Sequence, residues 1–349
     1  MDHTFHITVA GKGRYSARAG DTLLEAGQHA GFGFPHACRN GNCLRCVGQL
    51  LRGSVTQRIG NQATNTRIVC ADDASAGQVL YCIAHALEDC EINVPDITAP
   101  GELPVFDVSC QIIAIDDLNH DVSRITLRLP AGRRIRWYAG QYLLLQTPAG
   151  EAAFSIANAP GGRDLELHLR HNDENSSAQE VMAALRQDTV ARVQLPAGRR
   201  FIADNLPQRP VWFVCGSTGF APAKAMIEHL LANNFDQPIR LYWGARTADD
   251  IYLPALPAQW VRDEQLEYVP VLSDSTATDE GDAGAEHAGA VYRTGLVHEA
   301  VLADLNGEQP EFHIAGSPAM AWAVFDALSA AGVPAADMHS DVFDYAPRE

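Results

Sequence analysis

The chain has 349 residues, of which 46% are hydrophobic and 20% charged, a composition typical of folded globular proteins and unlike that of disordered chains. Its 26 basic and 43 acidic residues give a net charge of −17, which disfavours binding to nucleic acid or to an anionic membrane surface. The sequence has no basic stretch before an apolar core at its start and no window of about 18 successive apolar residues. We therefore expect a cytoplasmic protein of two or three domains.

Residues 1–95 predict a small β-rich unit with one short helix. Alternating apolar residues followed by two glycines indicate an opening hairpin, and Asp21 or Thr22 is the expected N-cap of the helix. Further strands are expected at 46–51, 79–83 and 91–94. Residues 95–104 contain three prolines, so we interpret 96–104 as a linker.

Residues 105–207 alternate apolar and polar side chains, with Gly and Pro between the runs. This pattern predicts an antiparallel β-barrel. One helix is expected within it, because Ser177 and Glu180 have the spacing of a capping box before an apolar run. From residue 208 to 349 buried-type strands alternate with helices, which predicts an α/β domain with a parallel sheet.

The cysteines carry the most specific pattern. Cys38, Cys43 and Cys46 are separated by four and two residues, and Cys82 follows 35 residues after Cys46. Plant-type [2Fe–2S] clusters use this spacing, and a glycine at position 41 lets the backbone fold closely around a cluster. A zinc site is the competing interpretation, but zinc usually takes closely spaced pairs on both sides. The remaining cysteines lack the spacing and are expected in the core: Cys70, Cys90, Cys110 and Cys215.

With this loop, residues 1–95 resemble a plant-type ferredoxin domain of the β-grasp fold. The resemblance implies that Cys38, Cys43, Cys46 and Cys82 are the metal ligands of a [2Fe–2S] cluster. Ferredoxins commonly have a small residue after the second cysteine, whereas this chain has Leu44 followed by Arg45.

The segment 154–160, Phe-Ser-Ile-Ala-Asn-Ala-Pro, resembles the flavin-binding segment of the ferredoxin-NADP reductase superfamily, and we call it the flavin segment. The resemblance implies that Phe154 packs on the isoalloxazine and that Ser155 reaches flavin N5, as a catalytic contact. Family members place an Arg two residues before the aromatic residue, where this chain has Ala152. Since an Ala cannot replace the bonds of an Arg to phosphate, we expect FAD to be held weakly and to be partly lost on purification.

Other groups could bind the FAD pyrophosphate in place of that Arg. Arg170 stands at the end of an expected strand, and Ser176 and Ser177 stand at a helix N-terminus, whose free N–H groups suit a phosphate. The alternative for Arg170 is a solvated charge at a strand end.

Two segments indicate nicotinamide binding. Gly-Ser-Thr-Gly-Phe-Ala-Pro at 216–222 follows a strand and opens a helix, the parts of a diphosphate cradle. It resembles a segment of the same superfamily, and Ala-Gly-Ser-Pro-Ala-Met at 315–320 resembles the later Cys-Gly-x-Pro-x-Met segment beside the nicotinamide. The implied cofactor contacts are Gly216, Thr218, Gly219, Pro222, Gly316, Pro318 and Met320.

The coenzyme preference is predicted from Asp274, at a strand end that resembles the ribose-binding position. Its charge would repel the 2′-phosphate of NADPH, so NADH is expected, although Arg246 argues for NADPH. Near the C-terminus, Phe343 or Tyr345 would shield the flavin, as the chain end does in relatives; the alternative is a plain core anchor.

The three parts belong together chemically. A hydride carries two electrons and a [2Fe–2S] cluster accepts one, so a flavin is required between them. The whole chain resembles three-module reductases that supply Rieske or diiron oxygenases, and the similar CDP-6-deoxy-3,4-glucoseen reductases. We expect electrons to pass from NADH through FAD and the cluster to a separate oxygenase component. The alternatives are a deoxysugar-forming dehydrase as acceptor, or a ferredoxin-like carrier or sensor with a degenerate flavin site.

Overall fold

The computed structural model describes residues 4–36, 38–59, 62–68, 77–95, 97–132, 135–147, 150–171, 176–274 and 291–348. The chain divides into two compact units, Met1–Pro104 and Val105–Glu349. No helix of the described residues has the length and apolarity needed to cross a bilayer. Cys70, an expected core residue, lies outside the described residues.

The first unit is a mixed sheet with one helix packed against it. Its elements are β1 (Thr4–Val9), β2 (Gly13–Arg18), α1 (Leu23–His29), β3 (Val47–Ile59), β4 (Gln62–Ile68), β5 (Gln78–Leu80), β6 (Ala84–Ala86) and β7 (Cys90–Asn93). The strands lie in the order β2-β1-β7-β3-β4, with β5 and β6 paired to β3. The expected hairpin is β1–β2, and Thr22 is the N-cap of α1, in a capping box with Glu25. These elements form the predicted β-grasp fold.

The predicted strand at 79–83 is interrupted in the structure. Strand β5 ends at Leu80, and the chain turns there because the N–H of Ile83 bonds back to the oxygen of Leu80 at 3.0 Å. The buried Tyr81 anchors this turn, since its hydroxyl donates to the backbone oxygen of Gln49 at 2.8 Å. Cys82 therefore lies in a turn and not in a strand.

The second unit begins with a six-stranded antiparallel sheet that curls into a half-barrel, which is the predicted β-barrel left open between its two edge strands. Its elements are β8 (Phe106–Asp117), β9 (Val122–Arg128), β10 (Tyr142–Thr147), β11 (Gly150–Ser155), β12 (Asp164–Arg170), α2 (Ser176–Gln187) and β13 (Val190–Ala197). The strand order is β11-β10-β13-β8-β9-β12. The capping box expected at Ser177 is wrong: the helix already includes Ser176, so the Ser177 side chain lies inside its first turn.

The rest of the second unit is a six-stranded parallel sheet covered by helices. Its elements are β14 (Val211–Gly216), α3 (Phe220–Ala232), β15 (Ile239–Ala245), α4 (Ala255–Arg262), β16 (Glu267–Leu272), β17 (Arg293–Thr294), α5 (Val297–Asp304), β18 (Glu311–Ala315), α6 (Pro318–Ala330), β19 (Met338–His339) and α7 (Val342–Tyr345). The order is β17-β16-β15-β14-β18-β19. The strands after β14 run outward on one side, and β18 returns to its other side. The gap between the ends of β14 and β18 is therefore a topological switch point, where such sheets bind ligands.

Candidate functional site

The four predicted cluster cysteines come together in two pairs. The N–H of Cys38 donates to Sγ of Cys43 at 3.4 Å, and the N–H of Cys43 donates to Sγ of Cys38 at 3.3 Å. The Sγ atoms of Cys46 and Cys82 lie 3.2 Å apart, which is too far for a disulfide bond. The turn after β5 thus delivers the distant fourth thiol to the loop.

The backbone of the cluster loop, residues 38–46, is wound tightly. Arg39, Gly41 and Leu44 all have φ in the left-handed region, at 58°, 84° and 57°. A Cβ at Gly41 would stand 2.9 Å from Cδ1 of Ile83, so the closeness of the loop to the Cys82 turn depends on a glycine there.

The donor set fits an iron–sulfur cluster. Hydrogen bonds from the backbone of Asn40 and from Cys43 lower the pKa of Cys38 to about 6, so this ligand is held as a thiolate. Burial raises the pKa of Cys82 to about 11, and the positive charge of a bound metal would be needed to ionise it. Of the other cysteines, Cys90, Cys110 and Cys215 are buried in the core, as expected.

In the second unit, a cavity of about 510 Å³ opens at the switch point between β14 and β18. It brings together most of the predicted flavin and nicotinamide residues: Ser155, Arg170, Gly216, Thr218, Gly219, Pro222, Gly316 and Pro318. Ser155, at the end of β11, faces the glycine turns of the parallel sheet across this cavity. A hydride donor and an acceptor bound to the two segments would therefore meet there.

The glycines at the switch point allow two backbone turns to touch. A Cβ at Gly219 would overlap the carbonyl oxygen of Ala315 and lie 2.5 Å from its carbonyl carbon. A Cβ at Gly216 would lie 2.5 Å from Sδ of Met320. The N-termini of α3 and α6 consequently converge on the cavity, and their free N–H groups suit a diphosphate.

A second cavity of about 330 Å³ adjoins the first along the ends of β15 and β16. It includes Met320 together with Arg246 and Ser273. Asp274 lies beside it and accepts from Nε of Arg246 at 2.9 Å; this bond lowers the pKa of the carboxyl group. The two residues that argued for opposite coenzymes thus form an ion pair.

Four further predicted contacts line neither cavity. Phe154 does not line the first cavity, and packs partly against the barrel core on the same strand face as Ala152. Ser176 and Ser177 stand in the first turn of α2 and line neither cavity. Phe343 packs on Trp322 with a ring-centroid distance of 4.6 Å, whereas Tyr345 lines the cavity.

Arg170 lines both cavities, but its guanidinium already forms ion pairs with two carboxylates. Its Nε lies 2.5 Å from Oδ2 of Asp121, its Nη2 lies 3.6 Å from Oδ1 of Asp250, and its Nη1 donates to Oγ of Ser217 at 3.1 Å. Arg170 is therefore not a solvated strand-end charge. It bridges the barrel strand β12 and the first nicotinamide turn.

Sequence analysis missed a buried ionic network that also joins these two parts of the second unit. Lys224 of α3 is 8% exposed, and its Nζ lies 2.8 Å from Glu228, 3.4 Å from Glu166 and 3.0 Å from the oxygen of Ala157. Ala157 belongs to the flavin segment. The one sequence signal was the i, i+4 spacing of Lys224 and Glu228 on an otherwise apolar helix.

The network continues to His168, which lies 2.7 Å from Glu166 and 2.8 Å from the hydroxyl of Tyr252. Burial lowers the pKa of His168 and raises that of Tyr252, so both are neutral. Tyr252 then donates to Nδ1, and Nε2–H donates to the Glu166 carboxylate. Despite its burial, Glu166 has a lowered pKa because His168 and Lys224 stabilise its charge.

Comparisons with known proteins agree with this geometry. The 2Fe-2S iron-sulfur cluster binding domain family matches residues 7–87, and the oxidoreductase NAD-binding domain family matches residues 213–326. The reductase component 2 of terephthalate 1,2-dioxygenase from Comamonas sp. is 32% identical over 99% of both chains. The CDP-6-deoxy-L-threo-D-glycero-4-hexulose-3-dehydrase reductase of Yersinia pestis is 30% identical over 81% of both.

Solved structures share the architecture over nearly the whole chain. The Amycolatopsis cytochrome P450 reductase GcoB superposes with a TM-score of 0.62 at 26% identity, covering 96% of this chain and 97% of that one. The ferredoxin reductase of carbazole 1,9a-dioxygenase has the same fold, with a TM-score of 0.57, 22% identity and coverage of 97% and 98%. The chain therefore belongs to the family of iron–sulfur flavoprotein reductases, oxidoreductases that carry electrons from a nicotinamide through FAD to a [2Fe–2S] cluster.

Proposed function

We propose that this reductase oxidises NADH in the cytoplasm and delivers single electrons to a separate oxygenase component. The observation that carries the proposal is the 32% identity to a dioxygenase reductase component over 99% of both chains, which leaves no module unmatched. FAD, when bound, supplies the chemistry that accepts a hydride and releases its electrons singly.

The residues of this chain would bind and orient the reactants. The glycine turns after β14 and β18 and the N-termini of α3 and α6 would hold the coenzyme diphosphate at the switch point. Ser155 faces that point from the barrel and would place its hydroxyl at the flavin. The Lys224 network would hold the flavin segment against α3. It would thereby set the distance between the nicotinamide, which donates the hydride, and the flavin, which accepts it.

We propose NADH and not NADPH because Arg246, which lines the second cavity beside Asp274, is already paired. The Asp274 carboxylate holds Arg246 and adds a negative charge where NADPH would place its 2′-phosphate. The kcat/KM for NADH should exceed that for NADPH by at least about tenfold, which corresponds to about 1.4 kcal/mol. Equal values for the two coenzymes would refute this part of the proposal.

The purified protein, supplied with FAD, should show both flavin and iron–sulfur absorption, and anaerobic NADH should bleach both. NADH should then drive reduction of a purified Rieske oxygenase component, which is measured as the loss of that component's visible absorption. A ferredoxin-like carrier with a degenerate flavin site would show no bleaching by NADH and no NADH-driven reduction of cytochrome c, even with added FAD.

The second candidate acceptor is a deoxysugar-forming dehydrase. It is favoured by the 30% identity to a hexulose-3-dehydrase reductase over 81% of both chains. Presenting the reduced protein to purified oxygenase and dehydrase components in parallel distinguishes the two. The true acceptor should be reduced with the higher second-order rate constant.

A further inference from the structure

We infer that the cluster loop is the docking surface for the electron acceptor, and that it recognises an acidic protein surface through Arg39 and Arg45, with Leu44 as an apolar contact between them. This inference rests on the proposed function, because it names the chemistry of the partner that receives the electrons. Three independent features of the loop carry it: its charge, its exposed leucine and its exposed cluster ligand.

The charge of the chain is very unevenly distributed. Residues 1–104 contain 8 Lys or Arg and 10 Asp or Glu, a net charge of −2, so the remaining residues carry −15. Within the first unit, residues 26–71 contain five Arg and not one Asp or Glu. The whole cluster loop lies inside this stretch. The cluster loop is therefore basic in a chain that is strongly acidic overall.

The two loop arginines are exposed, and no carboxylate among the described residues forms an ion pair with either of them. Arg39 donates from Nη2 to Oε1 of Gln28 at 3.2 Å and lies 3.2 Å from Nε2 of His36, so an amide and an imidazole hold it in place. Arg45, which follows Leu44 directly in the chain, is also exposed. Neither guanidinium has a carboxylate within ion-pair distance in the part of the first unit that the structure describes. Both charges are available to a partner's carboxylates.

Leu44 adds little to the stability of the first unit, both because of its exposure and because of its backbone conformation. Its side chain is 60% exposed, so it contributes little to the core, and its φ of 57° is a conformation that side chains other than Gly, Asn and Asp rarely adopt. An exposed apolar side chain in a strained loop indicates a function outside the fold of the unit. Because Arg39 and Arg45 belong to the same nine-residue loop, Leu44 and these arginines together have the composition of a small interface centre with a charged rim.

Arg39, Leu44 and Arg45 lie in the same loop as an exposed ligand of the cluster. Cys43, the ligand immediately before Leu44, is itself exposed, whereas Cys46 and Cys82 are buried. A partner seated on Arg39, Leu44 and Arg45 would thus contact the side of the loop nearest to the surface-exposed ligand. Complementary charges there would speed association with an acidic acceptor and disfavour a basic one.

The test uses two forms of one acceptor, native cytochrome c, which is basic, and succinylated cytochrome c, which is acidic. The loop variant is Arg39→Gln with Arg45→Gln. The control is Arg14→Gln with Arg18→Gln, which removes the same charge from exposed positions on β2, the edge strand opposite β3 and β4. Binding of the oxidised succinylated protein is measured without NADH over a range of ionic strengths, and NADH-driven reduction is measured separately.

For the loop variant we expect the Kd for succinylated cytochrome c to rise about tenfold at low salt and its dependence on ionic strength to flatten. The control should change Kd less than about twofold. Leu44→Asn, which suits a positive φ, should raise Kd about threefold to tenfold at every ionic strength and leave the salt dependence unchanged. Reduction rates should follow the Kd values.

Equal effects of the loop variant and the control would overturn the inference, because they would show a response to net charge only. A changed cluster potential with unchanged binding would also overturn it, since the arginines would then only balance the cluster's charge. Anaerobic bleaching by NADH in every variant keeps the two proposals separable. If NADH fails to bleach the wild-type cluster, the proposed function fails, whereas the binding measurements still decide the docking surface.

Discussion

Nζ of Lys224, on the helix that follows the nicotinamide glycines, donates to the backbone oxygen of Ala157 in the flavin segment at 3.0 Å. The ammonium is 8% exposed and also contacts Glu166 and Glu228. One buried charge thus connects the chain just after β11 to the first turns of α3, and both elements line the cavity at the switch point. We therefore expect the spacing between the flavin segment and the glycine turn after β14 to depend on this connection.

Replacing Lys224 by Met should leave two carboxylates without their buried cation. Breaking a buried ion pair typically costs about 3–5 kcal/mol, and at the lower value the Tm of the second unit should fall by roughly 6–12 °C. Flavin reduction by NADH, followed in a stopped-flow instrument with FAD supplied, should also slow. The control Arg136→Met removes an exposed ion pair with Asp204 and should cost less than about 1 kcal/mol. Equal losses in both variants would contradict the role of Lys224.

Sequence reasoning predicted the cluster site well because most of its information is local. Three of the four thiols lie in one loop of nine residues, and the number and spacing of thiolates around two irons restrict the possibilities strongly. What the sequence did not show was the turn that delivers Cys82, since an apolar run at 79–83 is compatible with a continuous strand. The bond from Ile83 to Leu80 that ends the strand is a tertiary consequence of burying Tyr81.

The Lys224 network could not be predicted from the sequence, because its residues are far apart along the chain. Its members come from β12, α3 and the chain after β15, and only the fold brings them within hydrogen-bond distance. Phe343 shows the same limit. Two aromatic residues near the C-terminus were equivalent in sequence, but the packing of Phe343 on Trp322 leaves Tyr345 at the cavity.

The Arg246–Asp274 pair predicts how coenzyme preference can be changed. Asp274→Ser should release the guanidinium for a 2′-phosphate and remove a repulsive charge, so kcat/KM for NADPH should rise about tenfold or more. The value for NADH should change little, since its ribose carries no phosphate. Combining Asp274→Ser with Arg246→Gln is the matched control, and a similar gain in that double variant would show that Arg246 is not the phosphate ligand.

The contact at Gly219 predicts a variant that damages the coenzyme site selectively. In Gly219→Ala the new methyl group would overlap the backbone of Ala315, which cannot move aside as a flexible side chain could. We expect KM for NADH to rise at least about tenfold, because the glycine turns must separate. Gly162→Ala is the control, since its nearest neighbour, the backbone nitrogen of Asp164, would be 3.8 Å away. An unchanged KM in Gly219→Ala would mean that the coenzyme does not use this turn.

The pairing of the cysteines predicts the result of metal analysis. The wild-type chain should contain two irons and two labile sulfides, and Cys43→Ser should lose them while NADH still reduces the flavin. Cys110→Ala removes a buried thiol of the barrel core and should keep the full iron content. Zinc in the wild-type protein would refute the cluster assignment.

Asp341 gives the chain a predicted dependence of stability on pH. Burial raises the pKa of this carboxyl group to about 6, against the opposing effect of bonds from the backbone of Arg199 and Arg200. Between its unfolded pKa and about 6 the folded chain therefore binds more protons than the unfolded chain, and stability falls as pH rises through that window. Above pH 7 the ionised group should cost about 3 kcal/mol relative to its neutral form.

Asp341→Asn removes this titration while keeping a side-chain oxygen for the two backbone N–H groups. The variant should have a higher Tm than the wild-type chain at pH 8, and the difference should shrink steadily as the pH is lowered to 5. Asp204→Asn, at an exposed carboxylate, should show no such trend. A difference in Tm that stays constant from pH 5 to pH 8 would show that the substitution acts through packing or hydrogen bonding, and that Asp341 does not change its protonation in this range.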